Sequence, residues 1–247
     1  MTITDQTAGD VPATHEDPVL ELVGVRASYG AIEVLTGVDL TVPAGAVVAL
    51  LGPNGGGKTT TMRVASGLHP VSAGELRLSG RNVTGITATE SSRLGLCSIP
   101  EGRGIFANLT VRENLWVATG TGTPLADLED AAYERFPTLG RRRNQLAGSL
   151  SGGEQQMLAL ARALGPAPAV LLLDELSMGL APMIVSQMYE IVGGLAAEGI
   201  SILVAEQFAR VVLPIADTAA VMLGGRVVKV GHPADIEHEL STTYLGG

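Results

Sequence analysis

Short apolar runs, most bounded by glycine, alternate along the chain with segments in which apolar residues recur at helical spacing. Val19–Val25, Val38–Val42, Ala46–Leu51 and Glu75–Leu78 read as strands, as do Leu96–Ile99, Val170–Leu173, Ile200–Ala205, Ala219–Leu223 and Val227–Val230. Lys58–Ser66, Thr87–Leu94, Val111–Ala118, Ala126–Arg135, Gly152–Leu164 and Pro182–Ala197 read as helices. Gly152–Leu164 is dense in Ala, Leu, Gln and Met, and Pro182 sits in a first turn, where a missing N–H does no harm. Strands alternating with helices predict an α/β fold with a largely parallel sheet. Between residues 93 and 162 only Leu96–Ile99 reads as a strand and helical pattern dominates. That stretch is expected to be a helical subdomain, 93–162, inserted into a core made of 19–92 and 163–247. Residues 1–18, polar and bearing Pro and Gly, read as a flexible tail.

Composition narrows the class. The mean hydropathy of +0.31 raises the question of a membrane span. The longest apolar runs answer it, since they fall far short of the roughly 18 residues a span requires. A net charge of −9 over 247 residues argues against broad nucleic-acid binding, which draws on a surplus of Lys and Arg. The single cysteine, Cys97, permits no internal disulfide and fits a reducing compartment. Residues 1–25 contain no Lys or Arg, so neither a secretory leader nor a transit peptide is expected, and a cytoplasmic location is.

The segment Gly52-Pro53-Asn54-Gly55-Gly56-Gly57-Lys58-Thr59-Thr60 fits G-x-x-x-x-G-K-[ST], follows an apolar strand and opens a helix. Glycines let successive backbone N–H groups turn toward phosphate oxygens, and the helix N-terminus adds partial positive charge. Lys58 can reach the β- and γ-phosphates, and the Thr59 hydroxyl can ligate Mg²⁺. A second anion site is open to Ser151-Gly152-Gly153 at the start of Gly152–Leu164, although Ser151 alone reads equally as an ordinary helix cap. Asp174 and Glu175 end the apolar strand Val170–Leu173. Asp174 can hold Mg²⁺ and Glu175 can act as general base toward a water; the plain alternative is an acidic pair beside solvent.

Taken together, the phosphate loop, LSGGEQQ (Leu150–Gln156) with the helix after it, and VLLLDE (Val170–Glu175) resemble, in order and spacing, the motifs of the ATP-binding-cassette (ABC) ATPases. The resemblance covers roughly residues 19–240. It implies a P-loop NTPase with a RecA-like core and an inserted helical lobe, hydrolysing ATP with Mg²⁺. It also implies a head-to-tail pair of subunits in which each LSGGEQQ signature faces the partner's phosphate loop. Tyr29 matches the aromatic position that stacks on adenine in this family, or else is an ordinary half-buried tyrosine. The family commonly has Gln at the position of Glu101 and His at that of Gln207. Either the site is degenerate and hydrolyses poorly, or the chain belongs to a branch carrying these replacements. Glu101 can still contact Mg²⁺ or the lytic water, and Gln207 can donate a hydrogen bond to the γ-phosphate.

PEGR (Pro100–Arg103), LTVRENL (Leu109–Leu115) and GLAP (Gly179–Pro182) resemble the second ATPase subunit of branched-chain amino-acid importers, the LivF type; a urea-importer relative is close. Two departures remain: Leu176 stands where Pro is usual, which loosens the expected turn, and Gly56 where Ala is usual. The branch implies a sister ATPase subunit or a second copy as partner, a membrane permease, and indirectly an extracytoplasmic substrate-binding protein, with no nucleic acid. It places the chain on the inner face of the membrane. Arg103, Phe106 and Leu109 are candidate permease contacts, against internal packing for Phe106 and Leu109. Arg141-Arg142-Arg143 reads as a solvated loop, or as a contact to acidic lipid or a partner acid. Two rivals are a nucleotide-dependent scaffold with little hydrolysis and an ABC ATPase acting on DNA or ribosomes.

Overall fold

The computed structural model describes residues 18–102 and 104–245. The rest of the expected tail, residues 1–17, and the candidate contact Arg103 lie outside the described residues; Pro18 opens the first strand.

The strands are β1 (Pro18–Tyr29), β2 (Ile32–Pro43), β3 (Val47–Leu51), β4 (Ala73–Leu78), β5 (Arg81–Asn82), β6 (Leu96–Ile99), β7 (Val170–Asp174), β8 (Ser201–Glu206), β9 (Thr218–Leu223) and β10 (Arg226–Gly231). The helices are α1 (Lys58–Ala65), α2 (Ala88–Arg93), α3 (Val111–Ala118), α4 (Leu125–Arg135), α5 (Pro137–Arg141), α6 (Gly152–Leu164), α7 (Pro182–Ala197), α8 (Ala209–Val212) and α9 (Pro233–Leu245).

The α/β class holds, but the strands divide between two sheets. One is four-stranded, in the order β2-β1-β4-β5, and every pairing in it is antiparallel. The other is six-stranded, β10-β9-β3-β8-β7-β6, parallel except where β10 folds back on β9. The expectation of a largely parallel sheet therefore applies to the second sheet only. Hydrophobic period identifies strands but not their partners, and β1 and β2 are close enough in sequence to close a hairpin, with Tyr29 opposite Ile32.

In the six-stranded sheet, β3, β7 and β8 are buried along their whole lengths, as continuous apolar runs in parallel sheets are. Successive side chains point to opposite faces. Val47, Ala49 and Leu51 join Leu171, Leu173, Ile202 and Val204 in a core shared with Leu158 and Leu160 of α6 and Met188, Val192 and Leu195 of α7. Val48, Leu50, Leu172 and Leu203 face the other way, onto Met62, Val64 and Ala65 of α1 and onto Leu20, Leu22, Leu35 and Leu76 of the antiparallel sheet. The sheet is thus clamped on both faces, and its strand ends are held rigidly.

Between Ile99 and Val170 the regular structure is helical; β6 lies within the expected 93–162 segment yet is an edge strand of the core sheet. The helix α6 packs against α3, α4, α5 and α7 and against β6. Thr87, Thr110 and Ser151 each close a capping box at the start of α2, α3 and α6.

Candidate nucleotide site

The buried strand β3 delivers the loop Gly52–Gly57 to the N-terminus of α1. Gly57 has φ 110°, and a Cβ there would come 2.7 Å from the Met222 methyl, so only glycine fits. At Gly56 a Cβ would stand 3.0 Å from the Pro53 carbonyl and 3.3 Å from that of Met222. The departure from Ala thus suits this tightly folded loop. Pro53, Asn54 and Gly55 are exposed at its tip, while Thr60 is buried in α1.

Lys58 is 4% exposed. Its ammonium donates to the carbonyls of Gly52 (2.9 Å) and Pro53 (3.3 Å) and pairs with Glu175 Oε1 at 3.4 Å. The phosphate loop and the two acids ending β7 therefore meet, as the motifs require. Asp174 accepts a hydrogen bond from the Thr59 hydroxyl and is buried, and its Oδ1 has no partner. Burial pushes its carboxyl up to about 6; the Thr59 hydrogen bond opposes this, the charges of Glu175 and Glu101 add to it, and Lys58 opposes it. An orphaned carboxylate oxygen beside a threonine hydroxyl fits a hard divalent cation, which takes oxygen ligands. Among the described residues no cluster of His, Cys, Asp or Glu forms a metal cage by itself, and none is needed where substrate phosphates and water complete the shell.

Glu175 is held at φ 51°, a left-handed conformation that a non-glycine residue adopts only when its surroundings impose it. Its N–H donates to the Ala205 carbonyl (2.9 Å). Leu176 is buried, and its carbonyl accepts from Gln156 Nε2 (3.2 Å) on α6. The turn is thereby anchored without a proline ring, contrary to the loosening expected from Leu176. Gln207 lies beyond the end of β8 and lines, with Asn54 and Glu175, a cavity of about 720 Å³. Glu101 is exposed, near enough for its charge to act on Asp174 and Arg63.

Tyr29 is 41% exposed and stacks on His69, with ring centroids 4.2 Å apart at 28°. Its hydroxyl accepts from Arg63 Nη1 (3.2 Å). Neither His69 nor Arg63 is marked by any motif; both follow the phosphate loop within and just after α1.

Ser151 accepts from the Glu154 N–H (3.4 Å), and Glu154 returns a bond to the Ser151 N–H (2.9 Å). The cap is real, and Ser151 remains exposed. Gly152 starts the helix; a Cβ on Gly153 would meet Ile184 Cγ2 at 2.6 Å, so this glycine lets α6 approach α7. The hydrogen bonds of Ser151 stay within the first turn of α6 and do not reach the phosphate loop. Arg142, from the arginine run, pairs with Glu154 at 3.0 Å, so it braces the signature helix, while Arg141 bonds to Thr138. Phe106 is 47% exposed under the Arg162 guanidinium, 4.7 Å from its ring centroid; Leu109 is half-buried.

Residues 35–177 match the family model described as ABC transporter. The chain is 40% identical over 228 residues to the high-affinity branched-chain amino acid transport ATP-binding protein BraG of Pseudomonas aeruginosa, covering 90% of this chain and 97% of that one. It is 36% identical over 225 residues to the probable branched-chain amino acid transport ATP-binding protein LivF of Archaeoglobus fulgidus, covering 90% and 95%. Among solved structures, a nucleotide-free ATP-binding cassette from an ABC transporter superposes with a TM-score of 0.83 at 25% identity, covering 91% and 96%. The ADP conformation of another such cassette superposes at 0.80, with 26% identity over 92% and 96%.

The fold and the site thus define a P-loop ATPase, and the chain belongs to the ABC transporter family. It is an ATP-binding subunit of an ABC transporter carrying that family's ATPase domain, and subunits of this kind partner permeases in transporter complexes. No helix among the described residues is long and apolar enough to cross a membrane.

Proposed function

We propose that this subunit energises uptake of branched-chain or related hydrophobic amino acids, working on the cytoplasmic face of a membrane permease. The observation that carries the catalytic part is the convergence of Lys58, Glu175 and Asp174 beneath the phosphate loop. The substrate rests on the likeness to the two branched-chain amino-acid proteins, each matched over at least nine-tenths of its length.

In this reading Gly52, Pro53, Asn54, Gly55, Gly56, Gly57, Lys58, Thr59 and Thr60 bind the triphosphate, with Lys58 moving its charge from the loop carbonyls to the β- and γ-phosphates. Tyr29, backed by His69, presents a π-face to adenine. Asp174 and Thr59 would hold Mg²⁺, with Glu101 contributing charge nearby, and the ion when bound would supply charge neutralisation for the triphosphate. Glu175 accepts the proton of the attacking water, and Gln207 hydrogen-bonds the γ-phosphate. Residues 93–162, apart from the core-sheet strand β6, act as the lobe that carries Ser151, Gly152 and Gly153 to the phosphate loop of a sister subunit or second copy. Residues 19–92 and 163–247 act as the nucleotide-binding core. Closure of the pair on two ATP molecules and reopening after hydrolysis drive the permease, which receives substrate from a binding protein.

Affinity capture of the full-length chain from detergent-solubilised membranes, followed by uptake of labelled leucine, isoleucine and valine in cells lacking it, tests the proposal. A co-purifying permease and lost uptake are expected. Normal uptake of all three in those cells would refute the amino-acid assignment.

A further inference from the structure

The turn after the catalytic acid carries a second, hidden carboxylate. Glu206 ends β8 and is 1% exposed. Its Oε1 accepts from the Ser177 N–H (3.0 Å) and its Oε2 from the Ser177 hydroxyl (2.9 Å). The Tyr189 hydroxyl, from α7, donates to the same carboxylate. No Lys or Arg among the described residues pairs with it. A buried carboxylate is tolerated only when its acceptors are filled, and here the groups that fill them are all donors. Burial and then the negative charge of Glu206 hold the Tyr189 hydroxyl well above the usual tyrosine range, so it stays protonated and donating.

The placement explains what the carboxylate is for. Ser177 stands two residues beyond Glu175, whose left-handed backbone has to be imposed from outside. Leu176 has no ring to fix its own φ, so the shape of the turn rests on its hydrogen bonds. The turn is instead tied at three successive residues: Glu175 to Ala205, Leu176 to Gln156, and Ser177 to Glu206. Two of these ties run to adjacent residues of β8, and the third runs to the signature helix α6. Gln207, next to Glu206, lines the same cavity as Glu175, Ser177 and Tyr189.

The geometry points to Glu206 as a positioning residue: with Ser177 and Tyr189 it clamps the turn that aims the Glu175 carboxylate at its water. The inference rests on the reading of Glu175 as general base. The carboxylate fills all three donors at once; an amide keeps the Ser177 N–H and Tyr189 bonds through its oxygen only if the Ser177 hydroxyl turns to accept from its N–H, and an apolar side chain leaves all three donors unpaired.

Steady-state ATP hydrolysis by the full-length chain, with melting temperature recorded in parallel, provides the test. Glu206→Leu, which removes every arm, is expected to lower kcat at least tenfold with the KM for ATP within twofold of the parent. Tyr189→Phe and Ser177→Ala, which each remove one arm without touching charge, are expected to lower kcat about threefold with KM unchanged. A purely structural role would lower the melting temperature and leave kcat per folded molecule intact. If Glu206→Leu fails to fold, the two milder variants decide. Parental kcat in Tyr189→Phe and Ser177→Ala, or a KM that rises in step with the fall in kcat, overturns the clamp. Glu175→Gln separates the two levels. If it is inactive while the clamp variants run at the parental rate, the clamp alone fails. If it runs at the parental rate itself, the reading of Glu175 fails and the clamp with it.

Discussion

Replacing Asp174 by Asn should stabilise the free protein while disabling it. Asp174 is 5% exposed, and its carboxyl is pushed from an ordinary 3.8 up to about 6, chiefly by burial. Between roughly pH 4 and 6 the native chain therefore binds more protons at this group than the unfolded chain does. Its contribution to stability falls as pH rises through that window, and the full cost of burying the ionised form stands above it. Two pH units at about 1.4 kcal/mol each give about 3 kcal/mol. Asn keeps the shape and a partner for the Thr59 hydroxyl but carries no charge. In nucleotide-free buffer with chelator at pH 7.5, Asp174→Asn is expected to melt about 5–10 °C higher than the parent. The gain should shrink by about half at pH 5, where the parent's carboxyl is already largely protonated. ATP hydrolysis should fall by about a hundredfold, because the oxygen proposed to hold Mg²⁺ is no longer anionic. Thermal melts at the two pH values and a phosphate-release assay read all three. A lower melting temperature at pH 7.5, or a gain that does not narrow in acid, refutes the electrostatic reasoning; an unchanged rate refutes the metal assignment.

Other consequences are as direct. Tyr29→Ala should weaken ATP binding by about 1–3 kcal/mol, measured by titration calorimetry, while Tyr29→Phe keeps most of the affinity because the π-face is retained; equal affinity for all three refutes stacking. Burial pushes the Cys97 thiol up to about 11. At pH 8 its alkylation by iodoacetamide should be roughly two hundred times slower than that of free cysteine and should recover in denaturant; fast labelling of the native chain would contradict its burial beside β7.

What could be read from sequence follows from what sits locally. The elements α3, α6 and α7 fall where the pattern predicts, because Thr110, Ser151 and Pro182 mark their starts. The strands β1 and β2 run well past Val19–Val25 and Val38–Val42, since their polar ends are extended only by pairing with each other. The short elements β5, α5 and α8 span too few residues to show a period. The contiguous motifs around Lys58, Ser151 and Asp174 were legible, because each carries its geometry within a few residues. The ties of Glu206 to Ser177, Tyr189 and Gln156's bond to Leu176 were not: they join residues 17–29 positions apart. Taken singly, each looks like an ordinary helix or strand-end residue. A polar Glu closing the apolar run Ile200–Ala205 was the one available signal.

The central claim is that Glu175 takes the proton on which hydrolysis depends, while the other residues of the site bind, orient and neutralise charge. Glu175→Gln, incubated with MgATP and followed by size-exclusion chromatography with parallel phosphate release, tests it most directly. The account predicts ATP binding at parental affinity, a nucleotide-dependent shift to a dimer, either of this chain or with its sister subunit, and release of phosphate at least a hundredfold slower. Hydrolysis at the parental rate would contradict it.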